Sequence, residues 1–212
     1  TKVTSGYLDK FPAVTTIIRA GTGLDNIDLI ECSKRGIEVF SSPGANSTSV
    51  AEHALSMMLM VLKNTRSHLA NLKQNIWRDR TLLGHELHGK TIGLIGCGAV
   101  GQKLAKLLGP FDVQLLGYDK YVSPVAMSAL SIIPTALSDL LACSDIISIH
   151  VPLTNETNNI LSSREFSLMQ KSAYLINVSR GEVVNESALI KALSTHQING
   201  AAIDVVVGEP SP

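Results

Sequence analysis

Cysteine is scarce. Cys32, Cys97 and Cys143 are the only three, an odd number with no C-x-x-C pair. That argues against a disulfide framework or a zinc site, so no metal is expected, and it favours a reducing, cytoplasmic compartment. Net charge is missing too. Eighteen basic and 18 acidic residues cancel, which argues against broad binding to nucleic acid or an anionic membrane. No apolar run reaches the roughly 18 residues of a membrane span. No signal peptide opens the chain, but its first residue is Thr1 rather than Met, so that absence carries little weight. Repeats and low-complexity tracts are absent. What remains is 212 residues, 45% hydrophobic and only 17% charged. That is enough for a substantial core in one large domain or a domain and a half.

Short aliphatic and β-branched runs alternate with helix-like stretches. Thr15 to Ile18 reads as a strand, the Gly-rich "RAGTGLDNID" as a turn, Asp28 to Lys34 as a helix stopped by Gly36, and "IEVFSS" as a second strand. Strand-helix-strand with short connections predicts parallel pairing. From Lys90 the alternation is regular. "TIGLIG", "VQLLGYD", "DIISIHVPL", "YLINVS" and "INGAAIDVV" are strands, with a short one near Ser131 to Ile133. Near-continuous apolar strands are those covered on both faces. The fold class is therefore α/β, a doubly wound parallel sheet.

Between the two regions lies one long candidate helix. Ser49 with Glu52 matches a capping box. After it Ala51, Leu55, Met58, Leu62, Thr65, Leu69, Leu72 and Ile76 recur at steps of four and three, one stripe on one helix. At 1.5 Å per residue it would run roughly 40 Å. Its apolar stripe suits the core and, in part, a second subunit, so a homodimer through this helix is expected.

The run Gly96-Cys97-Gly98-Ala99-Val100-Gly101 is G-x-G-x-x-G. Alone it is a weak signal. Here a strand precedes it, a helix follows, and Asp119 ends the next strand 18 residues after Gly101, as in dinucleotide-binding units. Gly96 allows the tight turn, Gly98 lets backbone approach a pyrophosphate at the helix N-terminus, and Gly101 lets helix and strand pack closely. Asp119 suits a ribose diol and repels a 2′-phosphate, so NAD is favoured over NADP. Lys120 next door blunts that preference.

Seven stretches now carry a resemblance: "RAGTGLDNID", "GANSTSVAEHAL", "GHELHGKTIGLIGCGAVG", "GYD", "HVPLT", "INVSRGEVVNESAL" and "GAAIDVVVGEP". In this order they resemble the D-isomer-specific 2-hydroxyacid dehydrogenases over nearly the whole chain. The resemblance implies an NAD-dependent enzyme acting on a D-2-hydroxy acid. The substrate it suggests is 3-phosphoglycerate, with glyoxylate or hydroxypyruvate reduction and an NAD-sensing co-repressor module as alternatives. It implies residues 1–46 as a partial flavodoxin-like substrate domain and 47–212 as a Rossmann domain lacking its last strand. Arg180 would hold the substrate's carboxylate and carbonyl, and Glu209 would pair with a catalytic histidine. Asp204 would face the nicotinamide carboxamide. Thr22, Ala99, Val100, Val151, Val178 and Ser179 would line the dinucleotide. Gly21 and Gly23 would offer amides to the substrate carboxylate, with Arg19 adding charge. The chemistry agrees. Alcohol oxidation by hydride transfer needs a base for the hydroxyl proton and a cation for the carboxylate, and a planar guanidinium suits the latter.

The sequence also departs from the pattern. The family's catalytic histidine is expected in a "P-H" turn beyond Glu209, and none of the six histidines matches it. His150, at a strand end, is expected to be packed and hydrogen-bonded. Asn185 stands where the family usually has aspartate. The 212 residues are expected to be a fragment that binds NAD weakly and does not turn over substrate.

Overall fold

The computed structural model describes residues 2–209. The proline of the expected Glu-Pro step therefore lies outside the described residues. Two parallel sheets form. The smaller pairs β1 (Thr16–Arg19) with β2 (Glu38–Ser41), Ile18 opposite Phe40. Its helices are α1 (Ser5–Leu8) and α2 (Leu29–Lys34). Asp28 caps α2 by accepting from the Glu31 N–H at 2.9 Å, and the chain reverses at Gly36, φ +68°. Leu8, Ile27, Cys32 and Ile37 make a small core of their own.

The larger sheet has six strands: β3 (Thr91–Ile95), β4 (Gln114–Tyr118), β5 (Ile132–Pro134), β6 (Ile146–Ile149), β7 (Tyr174–Asn177) and β8 (Gly200–Ile203). Their order is β5-β4-β3-β6-β7-β8, every pair parallel. The order reverses direction between β3 and β6, so the carboxyl ends of those strands open a crevice. Successive residues serve opposite faces. Ile92, Leu94, Ile146 and Ile176 join one core with α3 (Ser47–Leu62) and, beyond α4 (Thr65–Lys73), α5 (Ala99–Leu108). Met127 of α6 (Pro124–Ser128) packs there too. Ile95, Ile147 and Leu175 join the other, with α7 (Leu137–Cys143), α8 (Ser163–Leu168) and α9 (Glu186–Ser194). This explains the unbroken apolar runs of β3, β6 and β7, which are buried on both faces, whereas Ile133 on the edge strand β5 is exposed. Burying a side chain the size of Met58 or Leu62 contributes about 1.5–3 kcal/mol.

The long helix is two helices. α3 ends at Leu62, Asn64 turns left-handed at φ +49°, and α4 starts at Thr65. The stripe splits with it. Ala51, Met58 and Leu62 are buried, whereas Leu69, Leu72 and Ile76 are exposed. The expected capping box is also absent, because α3 begins at Ser47 and Ser49 lies inside it. A true capping box stands elsewhere, at Ser162 and Glu165 of α8. Among the described residues no helix is long and apolar enough to cross a membrane.

Candidate dinucleotide and carboxylate cleft

The Gly-rich turn follows β3 at the crevice. Gly96 has φ +99°, a conformation that L side chains strain to adopt. A Cβ there would also meet His150 backbone at 2.7 Å. Gly101 packs so closely on the Gly96 carbonyl that a Cβ would collide with it. Gly98 differs: a Cβ there would have no atom within 4 Å. Gly98 is the N-cap of α5 and has no side-chain cap. The first-turn N–H groups of Ala99, Val100 and Gly101 lack i−4 acceptors within the helix, a place suited to an anion. These residues fit a pyrophosphate, with room above Gly98 and a helix N-terminus below.

Asp119 closes the neighbouring side. Its Oδ2 accepts from the Cys97 N–H at 2.7 Å, and its Oδ1 accepts from the N–H groups of Tyr121 and Val122 at 2.7 and 2.9 Å. The carboxylate therefore staples the β4 end to the Gly-rich turn. Sequence reasoning assigned it only a ribose. Three of its roughly four acceptor sites are taken, which leaves one on Oδ2 for a ribose hydroxyl. Cys97 is fully buried, and burial pushes its thiol up to about 12, which makes it an inert packing residue.

Further along the crevice, Asn177 finishes β7 and folds the next turn. Its Oδ1 accepts from Ser179 N–H and Oγ at 3.1 and 2.9 Å, and its Nδ2 donates to the Arg180 carbonyl at 2.8 Å. Gly181 follows because a Cβ there would strike the backbone of Val206 and Val207. Arg180 leaves this turn and crosses to the small sheet. Its Nε and Nη2 donate to Asp25 at 3.0 and 2.9 Å, and its Nη1 donates to the Ser179 carbonyl at 2.7 Å. One N–H on each terminal nitrogen stays uncommitted. Hydrogen bonding to Asp25 holds the guanidinium above its ordinary range, and the same bond holds the Asp25 carboxyl below its own.

Arg180 faces a cleft of about 320 Å³ between the two sheets, also lined by Lys2, Arg19, Asp25, Glu182 and Glu209. Arg180 and Glu209 do share this cleft, but the acidic partner of Arg180 is Asp25. Glu209 instead accepts from the Val206 N–H at 2.7 Å. Asp25 was missed from sequence. The only signal was an acid inside a Gly-rich turn.

One expectation for the "RAGTG" loop changes. The Gly21 N–H donates to the Arg19 carbonyl at 3.0 Å and so is spent within the loop. Arg19 donates to the Gly23 carbonyl, bracing the loop while its side chain lines the cleft. Gly23 is needed for space, since a Cβ would collide with the Arg180 guanidinium. Thr22 Oγ1 accepts from the Gly44 N–H at 3.2 Å, tying this loop to the approach of α3. Val178 is buried and Val151 half-buried. Asp204 follows β8, its N–H on the Asn177 carbonyl at 3.0 Å, and its Oδ1 lies 3.3 Å from His53 Nε2 on α3.

His150 is packed but not hydrogen-bonded. Both ring nitrogens are buried without a partner among the described residues. Burial lowers its pKa to about 4. Among the described residues no histidine lines the cleft. Asn185 caps α9, its Oδ1 accepting from the Ala188 N–H at 2.9 Å. Its difference from aspartate therefore bears on a helix end and not on the cleft.

Comparison with known proteins gives these features a family. Residues 55–212 match the model of the D-isomer specific 2-hydroxyacid dehydrogenase NAD binding domain. The D-3-phosphoglycerate dehydrogenase of Methanocaldococcus jannaschii is 37% identical over 99% of the chain, and the Homo sapiens enzyme of that name is 33% identical over 99%. The chain spans 40% and 39% of those proteins. The solved D-lactate dehydrogenase from Aquifex aeolicus, complexed with NAD and lactic acid, is 35% identical with a TM-score of 0.88, over 98% of this chain and 62% of that one. An NAD-dependent formate dehydrogenase from Staphylococcus aureus in complex with NAD is 37% identical with a TM-score of 0.88, over 99% and 63%. With its NAD-binding domain matched across most of its length, the chain belongs to the D-isomer specific 2-hydroxyacid dehydrogenase family.

Proposed function

We propose that the chain is the NAD-binding part, with a portion of the substrate domain, of an oxidoreductase that acts on a D-2-hydroxy acid, 3-phosphoglycerate first among them. Residues 1–46 supply the substrate side and 47–212 the Rossmann side. The observation that carries this is Arg180. It stands at the carboxyl edge of the sheet, braced by Asp25 and Ser179, with two N–H donors on its terminal nitrogens turned to a ligand. A planar donor pair of this kind matches a carboxylate.

Bound along the crevice, NAD would supply the hydride acceptor. Gly96, Gly98, Ala99, Val100 and Gly101 hold its phosphates, and Asp119 the ribose. Thr22, Val151, Val178 and Ser179 line its path, and Asp204 faces the carboxamide. Arg180 orients the substrate carboxylate and polarises the carbonyl in the reverse direction. Arg19 and Gly23 complete that wall, and Lys2 adds a cation. Glu209, on the same cleft, suits the carboxylate that backs a general base. Among the described residues that line the cleft there is no histidine to serve as that base. The exposed Met60, Leu69, Leu72, Ile76 and Trp77 on and after the α3–α4 pair support a homodimer there. Three free cysteines, two of them buried, suit a cytoplasmic setting.

Binding of 2-hydroxy and 2-oxo acids to the chain saturated with NADH tests the substrate class. 3-Phosphoglycerate or its 2-oxo counterpart should bind best, and Arg180→Lys should weaken every carboxylate. Equal binding by acids and their amides would refute the assignment of Arg180.

A further inference from the structure

β4 and β6 flank β3, so their carboxyl ends stand on either side of the Gly-rich turn. Asp119 and Lys120 follow β4. Residues 150–160 follow β6. The two segments are joined across the turn by one ion pair, Lys120 Nζ to Glu156 Oε2 at 2.8 Å. Glu156 is presented from a tight turn. Thr157 Oγ1 donates to the Pro152 carbonyl at 2.6 Å and accepts from the Thr154 N–H at 2.8 Å. Lys120 is equally fixed at its root, because the N–H groups of Tyr121 and Val122 wrap back onto Asp119.

This pair bears on the choice between NAD and NADP. The two differ by a phosphate on the ribose 2′-oxygen. An acid at the Asp119 position disfavours that phosphate, whereas a cation beside it would recruit it. Asp119 and Lys120 alone would nearly cancel. Glu156 restores a net negative edge and occupies the ammonium. We infer that Glu156 is a specificity-determining residue, which excludes a 2′-phosphate by holding Lys120 across the ribose end of the crevice. The inference rests on the crevice being the dinucleotide site.

The pair is about half exposed, 52% and 57%, so it contributes little to stability. Its effect is electrostatic discrimination, and that can be read without turnover. The probes are ADP-ribose and 2′-phospho-ADP-ribose, which differ only in the phosphate, titrated into the full chain by calorimetry at low salt. The unaltered chain should prefer ADP-ribose. Glu156→Gln should narrow the preference about threefold to tenfold, the order expected of one unit charge acting on a phosphate through water. The gain should appear in the phosphorylated ligand alone. Lys120→Ala added to Glu156→Gln should return the original ratio, and high salt should erase the difference. A purely structural clasp would move both ligands together, which would overturn the inference, as would a ratio unchanged by Glu156→Gln. If the unaltered chain binds neither ligand, the dinucleotide site falls and this inference with it.

Discussion

Asp25 and Arg180 lie 155 residues apart and meet through two hydrogen bonds of 2.9 and 3.0 Å. This pair joins the small sheet to the large one across the cleft. It also fixes the plane of the guanidinium, so that its outer edge is the part left for a ligand.

Asp25→Ala should therefore separate substrate from cofactor. Without its brace Arg180 can swing, and carboxylate binding to the NADH-loaded chain should weaken about tenfold, the scale of a lost charge-assisted bond. NAD affinity should stay within twofold. Calorimetric titration with both ligands checks this. A parallel fall in both affinities would make Asp25 a general structural residue.

The three glycines of the turn should fail in different ways. Gly96→Ala and Gly101→Ala should lower the unfolding free energy by about 1–3 kcal/mol each, through backbone strain in the first and overpacking in the second. Gly98→Ala should cost no more than about 1 kcal/mol, the difference between glycine and alanine at a helix N-cap, and should weaken NAD, because its methyl enters only the space assigned to the pyrophosphate. Destabilisation of all three alike would remove the argument for a ligand above Gly98.

Much of this was legible in advance for a simple reason. Four strands of the large sheet, β3, β4, β7 and β8, are apolar runs that end at Gly96, Asp119, Asn177 and Asp204, and a turn-forming residue after an apolar run marks a strand end. The glycine turn and Asp119 were legible because local spacing fixes them. The break at Asn64 was hidden because Thr65, Leu69, Leu72 and Ile76 keep the helical period past it. Periodicity records the phase of a stripe and not the continuity of its backbone. Asp25 was hidden because no local pattern reports a partner on another sheet. Gly21 misled because a glycine in a loop reads as a free amide, and this one serves its own loop.

His150 should give the protein a measurable acid sensitivity. Its folded pKa of about 4 lies below the ordinary 6.5. Between those values the unfolded chain binds a proton that the folded chain refuses. Stability should be full above about pH 6.5, fall as pH drops toward 4, and level off below, with a ceiling of about 3 kcal/mol. Carboxylates titrate nearby, so the difference between the unaltered chain and His150→Leu isolates the histidine. Denaturant unfolding at pH 7.5 and pH 5 should show the variant losing less. Equal losses would mean that the ring is solvated or partnered when folded.

The apolar surface after the break should matter for assembly and not for folding. Leu69→Lys with Trp77→Lys should leave denaturant unfolding within about 0.5 kcal/mol per site at low protein concentration, as exposed positions do. A dimer seen by sedimentation should become a monomer. An unaltered chain that is monomeric at high concentration would contradict the proposed dimer.

The most direct measurement is calorimetric titration of the chain with NAD, beside the Gly98→Ala variant. The unaltered chain should bind NAD saturably, one per chain, and prefer it to NADP. The variant should stay folded, within about 1 kcal/mol of the unaltered chain, and bind NAD at least tenfold more weakly. No saturable binding, or binding indifferent to the methyl at Gly98, would contradict the placement of the dinucleotide at the mouth of β3.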